Sequence, residues 1–286
     1  MNRKDALKKI SGASLLPFLP NLAFSSETEN TLLAGKVNHS VCKWCYSDIP
    51  LEEMCEKTQD FGITSIELLG PKEWPIVQKY GLNCAMGNPE TFSLTEGFND
   101  PSKHQELQEV YKEVIPQAAE AGLSKIICFS GNRNELSDEE GLENCAIGLD
   151  PLVKLAKLHG ITLCMELLNS KIDHKDYQCD HTSWGAALAE KLGSEHFKLL
   201  YDIYHMQIME GDVIRTIRDN QPYIAHYHTG GVPGRNEIDD TQELNYKAIM
   251  EAIVATGYDG FVAQEFIPKS DKPLDSLKKA VEICDV

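Results

Sequence analysis

The sequence has no excess of positive charge. Its 27 lysine and arginine residues stand against 44 aspartate and glutamate residues, which gives a formal net charge of -17. An acidic surface repels the phosphate backbone of nucleic acids and anionic membrane surfaces, so we expect neither as a partner. An anionic small molecule is not excluded, because a buried metal ion and a few local cations can dominate the potential inside a pocket.

Uninterrupted apolar runs of membrane-spanning length are also missing. The longest apolar stretch covers residues 10–24 and is interrupted by Pro17 and Pro20. A helix needs about 20 consecutive apolar residues to span a bilayer. We therefore expect no stable membrane insertion.

The first 25 residues instead have the features of an export signal. A start rich in lysine and arginine precedes the apolar stretch, and the small residues Ala23 and Ser25 predict cleavage before Ser26. Residues 2–8 resemble a degenerate twin-arginine signal in which Lys4 takes the place of the second arginine. We predict residues 1–25 as an export signal of a periplasmic or exported protein and residues 26–286 as its folded domain. An irregular basic arm on a cytoplasmic protein is the alternative.

Cysteine pairs of the kind that bind zinc or form redox centres are scarce. Cys42 and Cys45 form a C-x-x-C motif, but no second pair accompanies it. The nine cysteines are an odd number, and Cys128 and Cys164 lie inside apolar runs, where a free thiol acts as a small core residue. Buried free thiols fit a protein that folds in the cytosol before export.

The chain has no low-complexity linker and no G-x-G-x-x-G turn after its first predicted strand. Beyond residue 35, short β-rich runs alternate with longer amphipathic stretches. Eight runs are predicted strands: 36–41, 65–69, 83–87, 125–130, 162–167, 198–202, 224–228 and 261–265. Six stretches are predicted helices: 50–61, 105–121, 141–159, 184–192, 246–256 and 274–284. Eight alternating units predict a single (β/α)8 TIM barrel, with a doubly wound open sheet as the alternative.

An acidic or histidine side chain closes each of the last four predicted strands. These residues are Glu166, Asp202, His228 and Glu265. An ionised carboxylate at the end of an apolar run is costly unless a cation or a partner compensates it. The C-terminal strand ends of a TIM barrel meet at its active face, so we predict one divalent metal site there. Three carboxylates and one imidazole favour Mg²⁺ or Mn²⁺; Co²⁺ is an alternative, and Zn²⁺ is less suited.

Three further polar residues lie near these strand ends. His226 is two residues before His228 and shares its face of the strand, so we expect it in an inner layer or as a hydrogen-bond donor behind the site. His205 could bond a substrate oxygen, and Arg235 could contact a carboxylate or hydroxyl group. A loop histidine without a role and a surface ion pair are the structural alternatives.

Four motifs in the second half of the chain carry a family resemblance. They are Tyr-Asp-Ile-Tyr-His-Met-Gln-Ile-Met-Glu-Gly-Asp at 201–212, Val-Pro-Gly-Arg-Asn-Glu at 232–237 with Glu-Leu-Asn-Tyr at 243–246, Gly-Tyr-Asp-Gly-Phe-Val-Ala-Gln-Glu-Phe at 257–266, and Glu166 with Asn169. Through them the chain resembles the hydroxypyruvate isomerase family within the xylose-isomerase-like TIM barrels. The first third of the chain is only loosely similar.

The resemblance implies roles for individual residues. Glu166 and Glu265 are expected to be both metal ligands and the acid/base pair, and Asp202 completes the metal site. His205, Arg235 and Asn169 are expected to contact the substrate.

The sequence departs from the family at two places. Hydroxypyruvate isomerases carry a glutamine at the position of His228, whereas the related ketose 3-epimerases carry a histidine, as this chain does. Residues 171–176 also differ from the isomerase pattern. Both differences leave the substrate open.

The sequence thus predicts a metal-dependent isomerase that interconverts an aldehyde and a ketone through an enediolate. Its substrate would be a small sugar or a hydroxy-keto acid. A ketose 3-epimerase is one alternative, and an exported sugar-binding barrel without turnover is another. An abasic-site nuclease of the same superfamily would need a multi-histidine zinc cluster and a basic surface, and neither is evident. Self-association is left open.

Overall fold

The computed structural model describes residues 33–286, so the predicted export signal lies outside the described residues. Seven strands form one parallel sheet in this range. They are β1 (Asn38–Cys42), β2 (Ile63–Glu67), β3 (Lys125–Cys128), β4 (Thr162–Glu166), β5 (Phe197–Asp202), β6 (Ile224–Thr229) and β7 (Phe261–Gln264). Their order in the sheet is β2-β1-β7-β6-β5-β4-β3, with β1 paired to both β2 and β7.

The predicted strand at 83–87 closes the sheet between β2 and β3. Isolated parallel bridges join Asn83 to β2, and Gly87 to Leu69, two residues beyond β2, on one side and to β3 on the other. The segment is not a regular strand, because the Ala85 amide donates to the Ser65 hydroxyl oxygen at 2.9 Å instead of to a backbone carbonyl. Seven regular strands and this irregular eighth segment therefore form the predicted single TIM barrel.

Nine α-helices lie within residues 33–286. They are α1 (Leu51–Gln59), α2 (Trp74–Lys79), α3 (His104–Glu120), α4 (Asp138–His159), α5 (Thr182–Leu192), α6 (Ile203–Met209), α7 (Val213–Asn220), α8 (Tyr246–Ala255) and α9 (Pro273–Cys284). Six of them match the predicted helices to within a few residues. The helices α2, α6 and α7 were not predicted, because segments of 6, 7 and 8 residues are shorter than the roughly 11–18 residues over which helical periodicity is recognised.

Local signals position the strand that carries Glu166. Ser137 and Glu140 form a reciprocal capping box at the start of α4. The helix ends at Gly160, whose φ of 69° lies in the left-handed region that glycine adopts without strain. The chain can therefore turn at once into β4, which runs from Thr162 to Glu166 at the opposite end of the barrel.

The cysteines are core residues, as the sequence predicts. All nine are free thiols, and each is buried except Cys45, which is half-buried. Cys42 and Cys45 form no disulfide; Cys42 is the last residue of β1, and Cys45 lies in the single turn of 3₁₀-helix that follows it. Among the helices of residues 33–286, none combines the length and apolar character needed to cross a membrane.

Candidate active site

Four buried side chains meet at the C-terminal ends of β4 to β7. Glu166 and Asp202 are the last residues of β4 and β5. His228 lies one residue before the end of β6, and Glu265 directly follows β7. One nitrogen or oxygen atom from each side chain lies within 4.8 Å of the others. The structure thus brings together all four residues predicted as metal ligands.

His228 has a carboxylate against each ring nitrogen. Its Nδ1 is 2.8 Å from Glu265 Oε2 and 3.5 Å from Glu166 Oε1. Its Nε2 is 2.9 Å from Glu67 Oε1. A carboxylate only accepts hydrogen bonds, so both ring nitrogens donate in this arrangement. The proton on Nδ1, which faces the acidic cluster, is the one that a metal ion could displace.

Glu67 is a site residue that the sequence reasoning missed. It ends β2, is fully buried, and accepts hydrogen bonds from His226 Nε2 at 2.7 Å and from His228 Nε2. Burial alone would raise the pKa of Glu67, but the two histidines lower it to about 2. The ionised carboxylate fixes the orientation of both imidazole rings. Glu67 ends a strand, like the predicted ligands, but it lay inside the predicted strand 65–69 and not at its end.

Arg235 lies against the acidic cluster. Its guanidinium nitrogen Nη2 is 3.0 Å from Asp202 Oδ2 and also donates to Glu265 Oε2. The guanidinium lies over the rings of Trp44 and Tyr204, at 5.2 Å and 5.4 Å from their centroids. Arg235 is therefore a part of the site and not the surface ion pair that was its structural alternative.

Trp44 is the second residue that sequence reasoning missed. Its indole Nε1 donates to Glu265 Oε1 at 2.7 Å, and 42% of the residue is exposed. The sequence offered no separate signal for Trp44, because it follows the first predicted strand and belongs to no pattern apart from the C-x-x-C motif. Both oxygens of Glu265 thus have hydrogen-bond donors.

The predicted substrate-binding residues Asn169 and His205 lie beside the cluster and contact each other. Asn169 Nδ2 donates to His205 Nδ1 at 2.6 Å, which leaves the proton of the neutral ring on Nε2. Burial, and next to it Arg235, hold the pKa of His205 well below its usual range. His205 Nε2 is buried without a hydrogen-bond partner among the described residues, so it is available to donate to a ligand oxygen.

The environments of the two glutamates drive their pKa values apart. Burial, together with the charge of Glu265, raises the pKa of Glu166. Burial acts the same way on Glu265, but Arg235 and His228 outweigh it and hold the pKa of that carboxyl well below its usual range. Such a separation is typical of an acid/base pair.

The cluster has the properties of a cation site. Burial raises the pKa of Asp202 to about 8, with a further contribution from Glu265 and opposition from Arg235. Glu166 Oε1 is buried and has no hydrogen-bond partner in the described part of the chain. Crowded carboxylates and an unsatisfied buried oxygen are both relieved by a divalent cation, so the four residues fit one.

A second group of nearby side chains is less suited to a metal ion. Cys42, Glu67 and His228 also bring ligand atoms close together, and they share His228 with the first group. Burial raises the pKa of the Cys42 thiol well above its usual range, and sulfur is a soft ligand that Mg²⁺ and Mn²⁺ do not favour.

A cavity of about 360 Å³ opens above the carboxylates, with Glu166, Glu265, Arg235 and Trp44 in its wall. A larger cavity of about 730 Å³ lies outside the barrel, between α2 and α3. We place the chemistry in the smaller cavity, because the residues with perturbed pKa values line it.

Comparison with known proteins identifies the family. The sequence model of the family described as "Xylose isomerase-like TIM barrel" matches residues 55–285. A Mus musculus protein named "Putative hydroxypyruvate isomerase" is 33% identical over 264 residues, covering 90% of this chain and 88% of that protein. A "2-oxo-tetronate isomerase" of Cupriavidus necator is 33% identical over 129 residues, which cover 45% of this chain and 47% of the relative.

Solved structures share the fold. The AP endonuclease, family 2, of Brucella melitensis superimposes with a TM-score of 0.75 at 21% identity, covering 84% of this chain and 96% of that one. The D-psicose 3-epimerase of Clostridium cellulolyticum H10, crystallised with D-tagatose, has a TM-score of 0.69 at 18% identity and covers 87% of this chain and 98% of its own. At these identities the similarity establishes the barrel alone.

The predicted fold and family are therefore confirmed, and so is the prediction of an isomerase, the activity for which the sequence relatives are named. This chain belongs to the xylose isomerase-like TIM barrel family, and it is an isomerase.

Proposed function

We propose that this isomerase moves a proton between adjacent carbon atoms of a small sugar or keto acid through an enediolate. Glu166 and Glu265 act as the acid/base pair, beside one divalent cation held by Glu166, Asp202, His228 and Glu265. The observation that carries the proposal is the pair of buried glutamates with opposite pKa shifts at one cavity. The names of the sequence relatives support the same reaction class.

The ligand set favours Mg²⁺ or Mn²⁺. Three carboxylates are hard oxygen donors, and His228 Nδ1 adds one nitrogen once its proton is displaced. When bound, the cation would polarise the substrate carbonyl group and stabilise negative charge on its oxygen.

The side chains divide the proton transfers between them. Arg235 and His228 keep Glu265 ionised, so this glutamate can remove a proton from the carbon next to the carbonyl group. Glu166, whose pKa is raised, is the member of the pair that can take up a proton and deliver it to the neighbouring carbon. As the carbonyl group moves to the neighbouring carbon, the proton of that carbon's hydroxyl group passes to the former carbonyl oxygen. The unpartnered N–H of His205 can donate a hydrogen bond to a substrate oxygen during this exchange.

A ketose 3-epimerase is the second candidate, and His228 is the observation that favours it. By sequence resemblance, the 3-epimerases carry a histidine at this position. An epimerase would use the same two glutamates but return the proton to the opposite face of one carbon. Glu166 and Glu265 stand on β4 and directly after β7, on different sides of the barrel mouth, which suits either outcome.

A screen in deuterated water tests the proposal and separates the candidates. The protein would be incubated with Mg²⁺ or Mn²⁺ and with hydroxypyruvate, small ketoses or aldoses, and the products followed by NMR. An isomerase interconverts the aldehyde and the ketone and places deuterium on the carbon that receives the proton. An epimerase places deuterium on C3 and inverts the configuration of that carbon.

The matched control is the same protein after exhaustive chelation. We expect turnover to disappear and to return when the cation is restored. Full activity after proven cation removal would contradict the cation's role. The absence of conversion for every compound at saturating cation would overturn the proposed reaction.

A further inference from the structure

The cavity above the carboxylates has two unlike sides. The reactive side carries Glu166, Glu265 and Arg235. Six further lining residues are apolar and form what we call the apolar wall: Leu68, Phe92, Leu94, Ile127, Phe129 and Leu168. A three-carbon keto acid could occupy only the reactive side of a cavity of about 360 Å³, which lies within the range of roughly 300–1,000 Å³ that encloses drug-sized ligands.

The apolar wall ends in an exposed aromatic ring. Phe92 is 52% exposed, whereas Phe129 is buried. The two rings are stacked, with centroids 5.6 Å apart and planes inclined by 22°. A ring ligand that presents C–H or aromatic faces would extend this stack and remove the exposed surface of Phe92 from water.

The charges lining the cavity do not favour an anion. Arg235 is the one arginine or lysine among the described residues that line it, and its guanidinium already donates to Asp202 and Glu265. Burial, and next to it Arg235, lower the pKa of His174, so that imidazole is neutral. Three carboxylates would be balanced by one guanidinium and one divalent cation. No excess positive charge remains to attract a substrate carboxylate.

We infer that the substrate is a neutral ketose that carries a ring substituent. Its carbonyl end lies at Glu166 and Glu265, and its ring lies against Phe92 and Phe129. This inference rests on the proposed function, because that function places the reacting carbons at the two glutamates. The substituent is a second sugar ring or an aryl group, since both present flat apolar faces.

Equilibrium binding to the cation-loaded protein tests the inference. Isothermal titration would compare D-fructose with two compounds that keep its carbonyl end and add one ring, isomaltulose (a glucosyl group on O6) and 6-O-benzyl-D-fructose. Hydroxypyruvate represents the small anion. We expect at least one ring-bearing compound to bind about 10-fold or more tightly than D-fructose, and the better of the two identifies the ring. The inference is overturned when neither ring-bearing compound binds more tightly than D-fructose, or when hydroxypyruvate binds most tightly of all.

A pair of exposed residues provides the matched variants. Phe92→Ala should remove most of the advantage of the ring-bearing compound and leave D-fructose binding unchanged within about two-fold. Leu158→Ala, at a position 82% exposed on α4 and outside the cavity, should change neither. An equal loss for both sugars in Phe92→Ala would show that the ring does not lie there and would overturn the inference.

The two proposals fail independently. Binding is measured without turnover, so a ring preference that persists in a protein with no isomerase or epimerase activity would contradict the proposed reaction alone. Turnover of D-fructose or hydroxypyruvate without any ring preference would support the reaction and overturn the substrate class.

Discussion

The two halves of the barrel contribute different things to the site. The half built from β4 to β7 has four successively paired strands, with one register shift between Leu199 and Leu200, and supplies Glu166, Asp202, His228 and Glu265. The half built from β1, β2, the segment 83–87 and β3 is less regular. It supplies Glu67 and Trp44 as supporting contacts and most of the apolar wall.

The positions of the reactive side chains and those of the supporting side chains therefore have different structural origins. A reactive carboxylate can stand at a strand end, where backbone register alone sets its position. A supporting group acts on a side chain of another strand, so its role depends on which strands the fold brings together. Glu67 of β2 contacts His228 of β6, whereas Trp44 follows β1, the direct neighbour of β7. Substitutions made in each half separately test this difference.

The largest effect is expected in the second half, from Glu265→Gln. A glutamine cannot accept the substrate proton, so kcat at saturating cation should fall by about 10²–10⁴-fold. Circular dichroism should show an unchanged fold, and Glu251→Gln, on the exposed side of α8, should retain full activity. Substantial activity in Glu265→Gln would remove this glutamate from the acid/base pair.

The next largest effect is expected on the pH dependence of stability, and it involves His39 of β1 in the first half. His39 is 1% exposed, and neither ring nitrogen has a hydrogen-bond partner among the described residues. Burial, opposed by Asp285, lowers its pKa from 6.5 to about 4. The folded state therefore keeps the ring neutral while the unfolded chain gains a proton. The stabilisation is complete above about pH 6.5 and is lost as the pH falls towards 4.

Urea unfolding between pH 7 and 4 measures this loss, which should be up to about 3 kcal/mol in the wild type. His39→Gln should lose correspondingly less over the same range, because a glutamine does not titrate. His159→Gln, at an exposed position at the end of α4, should follow the wild-type curve. Parallel curves for wild type and His39→Gln would exclude His39 as the source.

Glu67→Gln tests whether the first half acts on the site through His228. The glutamine keeps the shape but loses the charge that orients the ring, and loss of such an outer contact costs about 10–100-fold in metal affinity. Titration with Mn²⁺ would measure this loss, with kcat at saturating Mn²⁺ changing less. Glu52→Gln on the exposed face of α1 is the control. An unchanged Mn²⁺ affinity would assign Glu67 a purely structural role.

The smallest effect is expected for Trp44→Phe. This change removes the hydrogen bond to Glu265 Oε1 but keeps an aromatic ring beside Arg235. A hydrogen bond to a charged group contributes about 1.5–3 kcal/mol, and we expect the low end for the partly exposed Trp44, so kcat should fall by about 10-fold with Mn²⁺ affinity nearly unchanged. Trp184→Phe, which removes a hydrogen bond to the carbonyl of Asp138 away from the cluster, should leave kcat intact. Equal losses of kcat in both variants would argue against a specific role for Trp44.

Most of the barrel was predictable, because its signals are local. Alternating β-rich and amphipathic runs located seven strands to within a few residues, and the residue at the end of each late strand was read directly from an apolar run. The segment 83–87 was predicted as an ordinary strand. Its irregularity depends on the Ser65 hydroxyl group, which belongs to a neighbouring strand, so the segment itself held no sign of it.

The fold class, and the four predicted ligand residues that the structure brings together at the ends of β4 to β7, could be read from the amino-acid sequence alone. Both follow from periodicity and from the cost of a charge at the end of a buried strand. Only the tertiary structure decided how these residues are supported. Whether Glu67 meets His228, Trp44 meets Glu265, or Arg235 meets Asp202 depends on closure of the barrel, which brings together side chains separated by 161, 221 and 33 positions in the chain.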